Sequence, residues 1–346
     1  MGRHDCVILY NAANIAEVEG SQEKMYPSTI LREEVGAIEE SLRAGGYSPF
    51  VMSVDHFSKE FVQTLVKLAP KFVFNLCEEI NGKVELEMCV AGLLELVGIP
   101  YTGSGPFALG LALNKFHVKQ ILRSAGIPVP KGYLHYPGKK PSLRSMRFPV
   151  IVKPAREDAS LGINSNSVCQ DHVHLERQVA YIHGVYQQEA LVEEYLDGRE
   201  FNVSIMGDRE PRVLAISEID FSHMPDGEPR IVSFRAKWDE ESPMYGSTVP
   251  ICPAQVSKRL ERRLKEIALR SYTCIGCRDY ARIDMRTDHK GNLYVLEVNP
   301  NPDISPKAGY ARAAQVAGFS YAEMILQICQ AAMERGAKVA ANVYAL

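Results

Sequence analysis

Short apolar runs alternate with longer amphipathic stretches through the first third of the chain. The run CVILY, residues Cys6–Tyr10, predicts a strand, and the charged stretch Ser28–Ala44 predicts a helix that ends before two glycines. The same order repeats with PFVMSV, a helical stretch near 60–68, the run KFVFNL and the helical VELEMCVAGLLELVG. Strands and helices that alternate between short Gly or Pro breaks predict a parallel α/β sheet.

The pattern changes after residues 103–106, GSGP. A helix predicted over 108–125 leads to the strand VIVKP, a loop and a helix near 171–181, which is the content of a small α+β lobe. Several strands follow from Leu191 onwards, and a long helix predicted over 253–275 interrupts them. The expected units are an N-terminal α/β domain, a central lobe and a C-terminal domain, residues 1–107, 108–190 and 191–346.

Composition places the chain among ordinary globular proteins. It has 346 residues, of which 46% are hydrophobic and 23% charged, and a net charge of -3, so no basic field indicates nucleic acid or a membrane surface. No apolar run reaches the roughly 18 residues that span a bilayer, and the first residues do not resemble a signal peptide. The eight cysteines lie mostly among apolar neighbours, so we expect reduced thiols in a cytoplasmic protein. The CxxC pair Cys274 and Cys277 lacks a second ligand pair and is interpreted as structural.

Lys153 ends the strand VIVKP, and a loop with small residues follows it. A lysine fixed at a strand exit can contact a nucleotide phosphate, and the backbone N–H groups of Ser160 to Gly162 can approach phosphate oxygens. A solvated strand end is the alternative. Both interpretations stay open from these residues alone.

The stretch EEYLDGRE contains two predicted strands joined by the turn Asp-Gly-Arg. Glu193 and Glu200 flank this turn. One interpretation is a solvated hairpin. The other is a nucleotide edge, where the two carboxylates bind ribose and base and the backbone of 194–196 hydrogen-bonds the base.

Acidic and amide side chains follow one another on two predicted strands near the C-terminus. Arg282 and Asp284 share one face of YARIDMR, and Glu297 and Asn299 share one face of the next strand. The turn DHKGN can pair these strands and bring the faces together. Two carboxylates and an amide oxygen suit Mg²⁺ when water and phosphates supply its other ligands, and the carboxylates repel each other without a cation. The alternative is two unrelated strand-end acids.

These motifs resemble the ATP-grasp superfamily, and within it the D-alanine–D-alanine ligase family. The resemblance covers nearly the whole chain and runs through GIPYTGS, ALNKFHVKQILRSAGIPVP, IVKPAREDASLG, LVEEYLDGREFNVSI, FRAKW, YARIDMR and LEVNPNP in the family order. It implies an α/β ATP-grasp fold. In that fold an N-terminal parallel α/β (preATP-grasp) domain precedes two lobes that clamp ATP.

The resemblance also implies residue roles. The side chains and backbone expected to bind ATP are those of Lys115, Lys153, Ser160, Gly162, Glu193, Glu194, Leu196 and Glu200. Two Mg²⁺ ions, or Mn²⁺ in their place, are expected on Asp284, Glu297 and Asn299. Catalytic roles are expected for Arg282, Lys237 and Ser160. Arg282 would stabilise the acyl phosphate, and Lys237 would close over the γ-phosphate on a lid formed by 234–251.

The residues that differ from the family pattern are those expected to bind the amino-acid substrates. The family's Gly-Gly-x-Ser-x-Glu stretch is YNAANIAEVEG here, so its anchoring glutamate could be Glu17 or Glu19. Ala159 replaces the first of two serines, and Trp238 replaces a tyrosine beside the lid lysine. The amino-acid pocket is therefore predicted to differ from the pocket of the family.

The last motif departs in the same way. Asp303 replaces a glycine, and Ala308 takes the place of the serine expected to hold the second substrate's carboxylate. Asp303 indicates a cationic or amine-bearing substrate, or else it caps a helix that starts at DISP. Substrate contacts are expected at Asp303, Ser305 and Trp238.

We therefore expect an ATP- and Mg-dependent carboxylate–amine ligase that forms an amide bond through an acyl phosphate and releases ADP and phosphate. Its substrates are expected to be a small-molecule acid, such as a non-proteinogenic or secondary-metabolite acid, and an amino acid, rather than two D-alanines. The alternatives are a genuine D-alanine–D-alanine ligase, a kinase without an amine acceptor and a non-catalytic nucleotide-binding protein. The resemblance also allows a homodimer.

Overall fold

The computed structural model describes residues 4–12, 28–143, 146–158, 160–239, 241–242 and 244–343, with side chains except those of 28–31, 238 and 338–343. Twelve strands in three sheets and ten α-helices lie within these ranges. None of the helices described is long and apolar enough to cross a membrane.

The first sheet is parallel, as the alternation predicts. β1 (Cys6–Tyr10) lies between β2 (Pro49–Ser53) and β3 (Phe72–Leu76). All five residues of β3 are buried, which is typical of a parallel strand covered on both faces. The connecting helices are α1 (Ser28–Ala44), α2 (Lys59–Leu68) and α3 (Glu87–Leu96).

The single helix predicted over 108–125 is wrong, because the chain forms two helices there. α4 (Pro106–Ala112) begins with a proline at a position where no backbone N–H is needed. α5 (Lys115–Ser124) has its own cap, since Asn114 accepts a hydrogen bond from the His117 backbone N–H at 3.0 Å. This cap makes Lys115 the first residue of α5.

The central lobe is an antiparallel sheet with one helix. Its strands run in the order β4-β7-β5-β6, with β4 (Gly132–His135), β5 (Val150–Pro154), β6 (Val168–Cys169) and β7 (Ala190–Glu194). α6 (His172–Tyr186) packs against this sheet and is longer than the predicted helix near 171–181. Its start is fixed by Asp171, which accepts from the His174 N–H at 2.8 Å.

The third sheet holds the C-terminal strands, all antiparallel, in the order β10-β9-β8-β11-β12. Its strands are β8 (Glu200–Met206), β9 (Arg212–Asp220), β10 (Val249–Ile251), β11 (Tyr280–Thr287) and β12 (Leu293–Asn299). The short α7 (Phe234–Trp238) follows β9. α8 (Lys258–Ile275) covers one face, and it starts later than the predicted 253 because Ser257 caps it.

Cys274 and Cys277 lie at the end of α8. Cys277 is buried in the core beneath the sheet, and Cys274 packs against that core. All eight cysteines of the chain are free thiols. The CxxC spacing therefore reflects core packing.

The last two helices are α9 (Gly309–Val316) and α10 (Tyr321–Val343). α10 returns to the first domain, where its buried Met324 and Ile328 share a core with Ile8 of β1 and Ile38 of α1. The division at 107 and 190 stays a prediction, but the last helix packs with the first domain.

Candidate active site

The pairing of β11 with β12 brings the predicted metal ligands onto one face. Asp284 lies opposite Glu297, and Arg282 lies opposite Asn299. Directly opposed residues of an antiparallel pair point to the same side of the sheet. Strand β8 adds Asn202 opposite Asp284, and its Nδ2 donates to Asp284 Oδ1 at 2.7 Å.

Two cations neutralise these carboxylates. Arg282 donates to Asp284 through Nε to Oδ1 at 2.7 Å and Nη2 to Oδ2 at 2.9 Å. Burial by itself would lower the pKa of Arg282, but Asp284 raises it above its usual value. Lys115 Nζ lies 2.7 Å from Glu297 Oε1. Burial would raise the pKa of Glu297, but Lys115 and Lys153 hold it at about 2.

The donor set fits a hard divalent cation. Asp284, Glu297 and Asn299 offer carboxylate and amide oxygens on one surface. Within the described ranges, no group of three or more His, Cys, Asp or Glu side chains could hold a metal, so a cation here would depend on water and phosphate for its other ligands, as Mg²⁺ commonly does. Asn299 Oδ1 accepts one bond from the Asn301 backbone N–H at 2.9 Å, which leaves it a second lone pair.

Buried lysines converge on Glu193. Lys153 at the end of β5 places Nζ 3.0 Å from Glu193 Oε2, and Lys119 on α5 places Nζ 2.5 and 2.6 Å from the two carboxylate oxygens. Glu193 is only 1% exposed. Its adenine contact stays a prediction, and its carboxylate contacts Lys119 and Lys153.

Lys119 is a site residue that sequence analysis missed. Its position four residues after Lys115 puts both lysines on one face of α5, and this spacing was the available signal. Burial lowers the pKa of Lys119, while the Glu193 carboxylate in direct contact opposes this shift and Lys153 adds to it.

The loop after β5 lies against Lys115. Asp158 Oδ1 is 2.6 Å from Lys115 Nζ, a contact that sequence analysis did not predict. Ser160 and Gly162 both have left-handed backbone angles, with φ of 65° and 72°. A Cβ at Gly162 would stand 2.5 Å from the Pro154 side chain, so the close approach requires glycine. Ala159 lies outside the described residues.

The solvated-hairpin interpretation of EEYLDGRE is wrong, because β7 and β8 belong to different sheets. The turn between them is a connection from the central lobe to the C-terminal sheet. A Cβ at Gly198 would stand 2.3 Å from Thr287 Oγ1 on β11, so the turn lies directly on that strand. Leu196 is buried, whereas Glu194 is partly exposed and accepts from the Lys131 N–H at 3.2 Å.

Glu200 starts β8 and pairs with an arginine. Arg286 Nη1 lies 3.1 Å from Glu200 Oε2. The guanidinium also stacks on Tyr195 and Phe221, at 5.4 and 5.2 Å from the ring centroids. Burial raises the pKa of Glu200, and Arg286 opposes this shift. Glu200, the predicted ribose contact, is therefore paired with Arg286, and sequence analysis did not predict this partner.

Lys237 lies on α7, which Ser233 caps by accepting from the Ala236 N–H at 3.2 Å. Enclosure by the surrounding protein and the nearby Arg282 lower the pKa of Lys237, while Asp303 and Asp284 oppose this. Lys237 thus belongs to the same electrostatic neighbourhood as the predicted metal ligands. The side chain of Trp238 lies outside the description.

Asp303 and Ser305 do not cap the next helix. α9 begins at Gly309 with Ala308 as its N-cap, so the helix expected from DISP starts later. Asp303 Oδ1 instead accepts from the Ser305 backbone N–H at 2.8 Å and closes a local turn. The second oxygen of Asp303 is not needed for that turn. Glu17 and Glu19 lie outside the described residues.

Carboxyl groups from the first domain lie near Asp303. Burial raises the pKa of Glu34 to about 8, and Asp303 and Glu78 add to the shift. Burial and Asp303 likewise raise the pKa of Glu78 to about 7. Glu87 is buried nearby and accepts from Asn301 Nδ2 at 3.1 Å. Sequence analysis missed these three residues, because no local pattern relates them to the last motif.

Comparisons with known proteins identify the family of the chain. A sequence model of the family "D-ala D-ala ligase C-terminus" matches residues 122–330. A protein of Sinorhizobium fredii named y4sG is 36% identical over 265 residues, 76% of this chain and 75% of that protein. The D-alanine–D-alanine ligase of Carboxydothermus hydrogenoformans is 30% identical over 307 residues, 86% of this chain and 92% of that protein.

The fold has close counterparts among solved structures. The D-alanine–D-alanine ligase of Bacillus anthracis, solved as a complex with ATP, superimposes with a TM-score of 0.72 over 96% of this chain and 99% of that chain, at 22% identity. At this identity the likeness concerns the fold, and the family match rests on the sequence comparisons. The chain therefore belongs to the D-alanine–D-alanine ligase family of ATP-grasp enzymes, the ATP-dependent ligases that form carbon–nitrogen bonds.

Proposed function

We propose that this protein is an ATP- and Mg²⁺-dependent ligase that joins a small-molecule carboxylic acid to an amine or amino acid through an acyl phosphate. The observation that carries the proposal is the pairing of Asp284 with Glu297 beside Arg282, on the face that Lys115 also reaches. Carboxylates and ammonium groups so arranged can hold both a metal–triphosphate and the charge that moves during phosphoryl transfer.

Asp284, Glu297 and Asn299 would hold Mg²⁺, which when bound supplies positive charge against the phosphate oxygens. Lys115 and Lys153 would bind phosphates. The substrate carboxylate attacks the γ-phosphate, ADP leaves, the amine then attacks the acyl carbonyl, and phosphate leaves.

The remaining groups would act on charge and on water. Arg282 would offset the negative oxygen of the tetrahedral intermediate, with Lys237 beside it. Backbone N–H groups at Ser160 and Gly162 would orient the triphosphate. Closure of 234–251 would exclude the water that otherwise hydrolyses an acyl phosphate. The proposed nucleotide edge comprises Glu193, Glu194, Leu196 and Glu200.

We propose further that the substrates are not two D-alanines. Asp303 and the nearby Glu34 and Glu78 give the amino-acid side of the cleft an acidic character. An amine-bearing or cationic substrate suits this environment, since neighbouring carboxylates stabilise a positive charge. Ser305 and Trp238 are the other proposed contacts.

A screen of phosphate release tests the function. The purified protein with ATP and Mg²⁺ is mixed with a matrix of acids, amino acids and amines, and products are identified by mass spectrometry. Release that requires an acid and an amine together, with a condensed product, is expected. Release with an acid or alcohol alone, giving a phosphorylated product, would indicate a kinase. Absence of any ATP turnover across the matrix would contradict the ligase.

The second candidate is a genuine D-alanine–D-alanine ligase, which the names of the relatives favour. D-alanine alone, as both substrates, decides between them: formation of the dipeptide at a rate comparable with the best matrix pair would overturn the proposal of a different substrate. A homodimer and a cytoplasmic location stay predictions.

Glu297 tests the metal part of the proposal. We expect Glu297→Gln to remove turnover and the gain in ATP affinity that Mg²⁺ gives the parent protein, because one hard ligand is lost. Titration of ATP with and without Mg²⁺ measures this. Glu261→Gln, in an exposed pair with Lys265 on α8, is the matched control and should keep both properties. A Mg²⁺ effect that persists in Glu297→Gln would remove Glu297 from the metal site.

A further inference from the structure

Lys119 has no part in the function proposed above, yet it is among the most buried charged residues of the described chain. It is 2% exposed and lies one helical turn after Lys115 on α5. Its Nζ contacts both oxygens of Glu193, at 2.5 and 2.6 Å. A lysine is rarely buried so completely unless it is paired. Its charge therefore has a specific partner.

That partner also contacts the lysine expected to bind phosphate. Glu193 Oε2 lies 3.0 Å from Lys153 Nζ. Strand pairing fixes the arrangement, since Glu193 on β7 lies opposite Ile151 on β5, two residues before Lys153. The three side chains form a closed set of two ammonium groups around one carboxylate, with one net positive charge when all are ionised.

The charge balance explains why two lysines are useful here. With Lys153 as its sole partner, Glu193 would form a neutral ion pair with it, and the pair would offer a phosphate little attraction. Lys119 occupies both oxygens of the carboxylate from the side of α5. Glu193 then offsets the charge of Lys153 only in part, so the Lys153 ammonium can still attract a phosphate.

We propose that Lys119 is a positioning residue of the nucleotide site: by neutralising Glu193, it keeps the Lys153 ammonium available for a phosphate group of ATP. This inference rests on the proposed role of Lys153. Lys119 would not contact the nucleotide itself. It would act only through Glu193. A simple packing role for Lys119 is the competing explanation.

A double-mutant cycle separates the two explanations. The proteins are the parent, Lys119→Met, Glu193→Gln and K119M/E193Q, and the measurement is the Kd of ATP by calorimetry without other substrates. Lys119→Met keeps the length of the side chain but leaves Glu193 to pair with Lys153. We expect ATP to bind roughly 10- to 50-fold more weakly, the size of one partly screened charge at this range. In the Glu193→Gln background the carboxylate is gone, so removing Lys119 should change the Kd less than about threefold.

Each outcome decides one question. ATP binding by the parent is required by the proposed function, so its absence would contradict that function itself. If the parent binds ATP and Lys119→Met binds it equally well, only the role of Lys119 is wrong. An equal loss from Lys119→Met in both backgrounds would assign Lys119 to packing. If Lys119→Met fails to fold, the comparison of E193Q with K119M/E193Q still decides, because a loss of more than tenfold there overturns the proposal.

Discussion

The proposed substrate preference depends most directly on one residue, Asp303. It stands where the resembled family has a glycine, and one of its oxygens holds the Ser305 N–H while the other is not used by the turn. Burial raises the pKa of Glu34 and of Glu78, and the nearby Asp303 adds to both shifts. Several carboxyl groups placed close together are stable mainly when bound protons or a cation offset their negative charge.

Replacement of Asp303 tests the charge of the substrate. Asp303→Asn keeps the oxygen that accepts from Ser305 but removes the negative charge. We expect the KM of an amine-bearing substrate to rise about 10-fold or more, the size of a lost charge-assisted hydrogen bond, with a much smaller change in ATP affinity. Steady-state kinetics with the substrate pair from the screen measures both. An unchanged KM for the amine would remove Asp303 from the substrate pocket.

Glu34 predicts a dependence of stability on pH. Its pKa is about 8 in the folded protein and 4.5 in a model compound, so the folded state keeps a proton that the unfolded state loses. The stability associated with that proton is complete below pH 4.5 and is lost as pH rises through 8. We expect Glu34→Gln to unfold at higher denaturant than the parent at pH 8.5, with a smaller difference at pH 5. Glu33→Gln, in an exposed pair with Lys307, should show no such trend; a trend of equal size in both variants would contradict the assignment.

Connections between elements set the geometry of the cleft. The turn from β7 to β8 carries the chain from the central sheet to the C-terminal sheet, and Gly198 lies against β11 there. The Gly198 N–H donates to the Thr287 carbonyl at 3.0 Å. Arg199 continues the contact by donating its N–H to Thr287 Oγ1 at 2.9 Å. The turn therefore connects the proposed nucleotide edge to the strand that carries Arg282.

Gly198→Ala should disturb this connection. The new Cβ would lie 2.3 Å from Thr287 Oγ1 and 2.5 Å from its carbonyl oxygen, so the backbone must move. We expect a loss of about 1–3 kcal/mol of unfolding free energy and weaker ATP binding, measured by denaturation and calorimetry. Gly184→Ala on α6 is the control, because nothing lies within 4 Å of its Cβ position and alanine favours a helix. Equal stability of the two variants would contradict the predicted clash.

The last helix, α10, links the first domain to the C-terminal sheet. Arg335 on α10 donates to both oxygens of Asp279, at 2.6 and 2.9 Å, and to the Tyr101 carbonyl at 2.7 Å. Asp279 also accepts from the Gly103 N–H at 2.9 Å. Asp279 is completely buried, and Arg335 opposes the rise in its pKa that burial causes. One ion pair thus joins the C-terminal sheet, α10 and the end of the first domain.

Removal of this arginine should destabilise the whole chain. Arg335→Met leaves the Asp279 carboxylate buried without its cation, and breaking such a pair typically costs about 3–5 kcal/mol. Chemical denaturation measures the loss. The double variant R335M/D279N removes the stranded charge and should recover part of the stability. A double variant no more stable than Arg335→Met would mean that the loss comes from packing of the arginine, not from the buried charge.

Local patterns were sufficient for much of the fold and for the pairing of the residues proposed as metal ligands. Strand β11 alternates Arg282 and Asp284, and its neighbour alternates Glu297 and Asn299, so two faces and a short turn bring four groups together. Such information lies within about twenty residues of sequence, which is the range over which periodicity and turn chemistry act. The order of motifs then indicated the family.

Contacts between residues far apart in the sequence depend on tertiary packing, and local patterns do not predict them. Lys119 meets Glu193 across 74 positions, and Asp279 meets Arg335 across 56. Glu34 lies near Asp303 because α1 packs beside the last motif. Periodicity assigns a residue to a face of its own helix or strand but says nothing about which other element covers that face. The partners of buried charges, and with them the pKa values of the cleft, follow from the packing of whole elements.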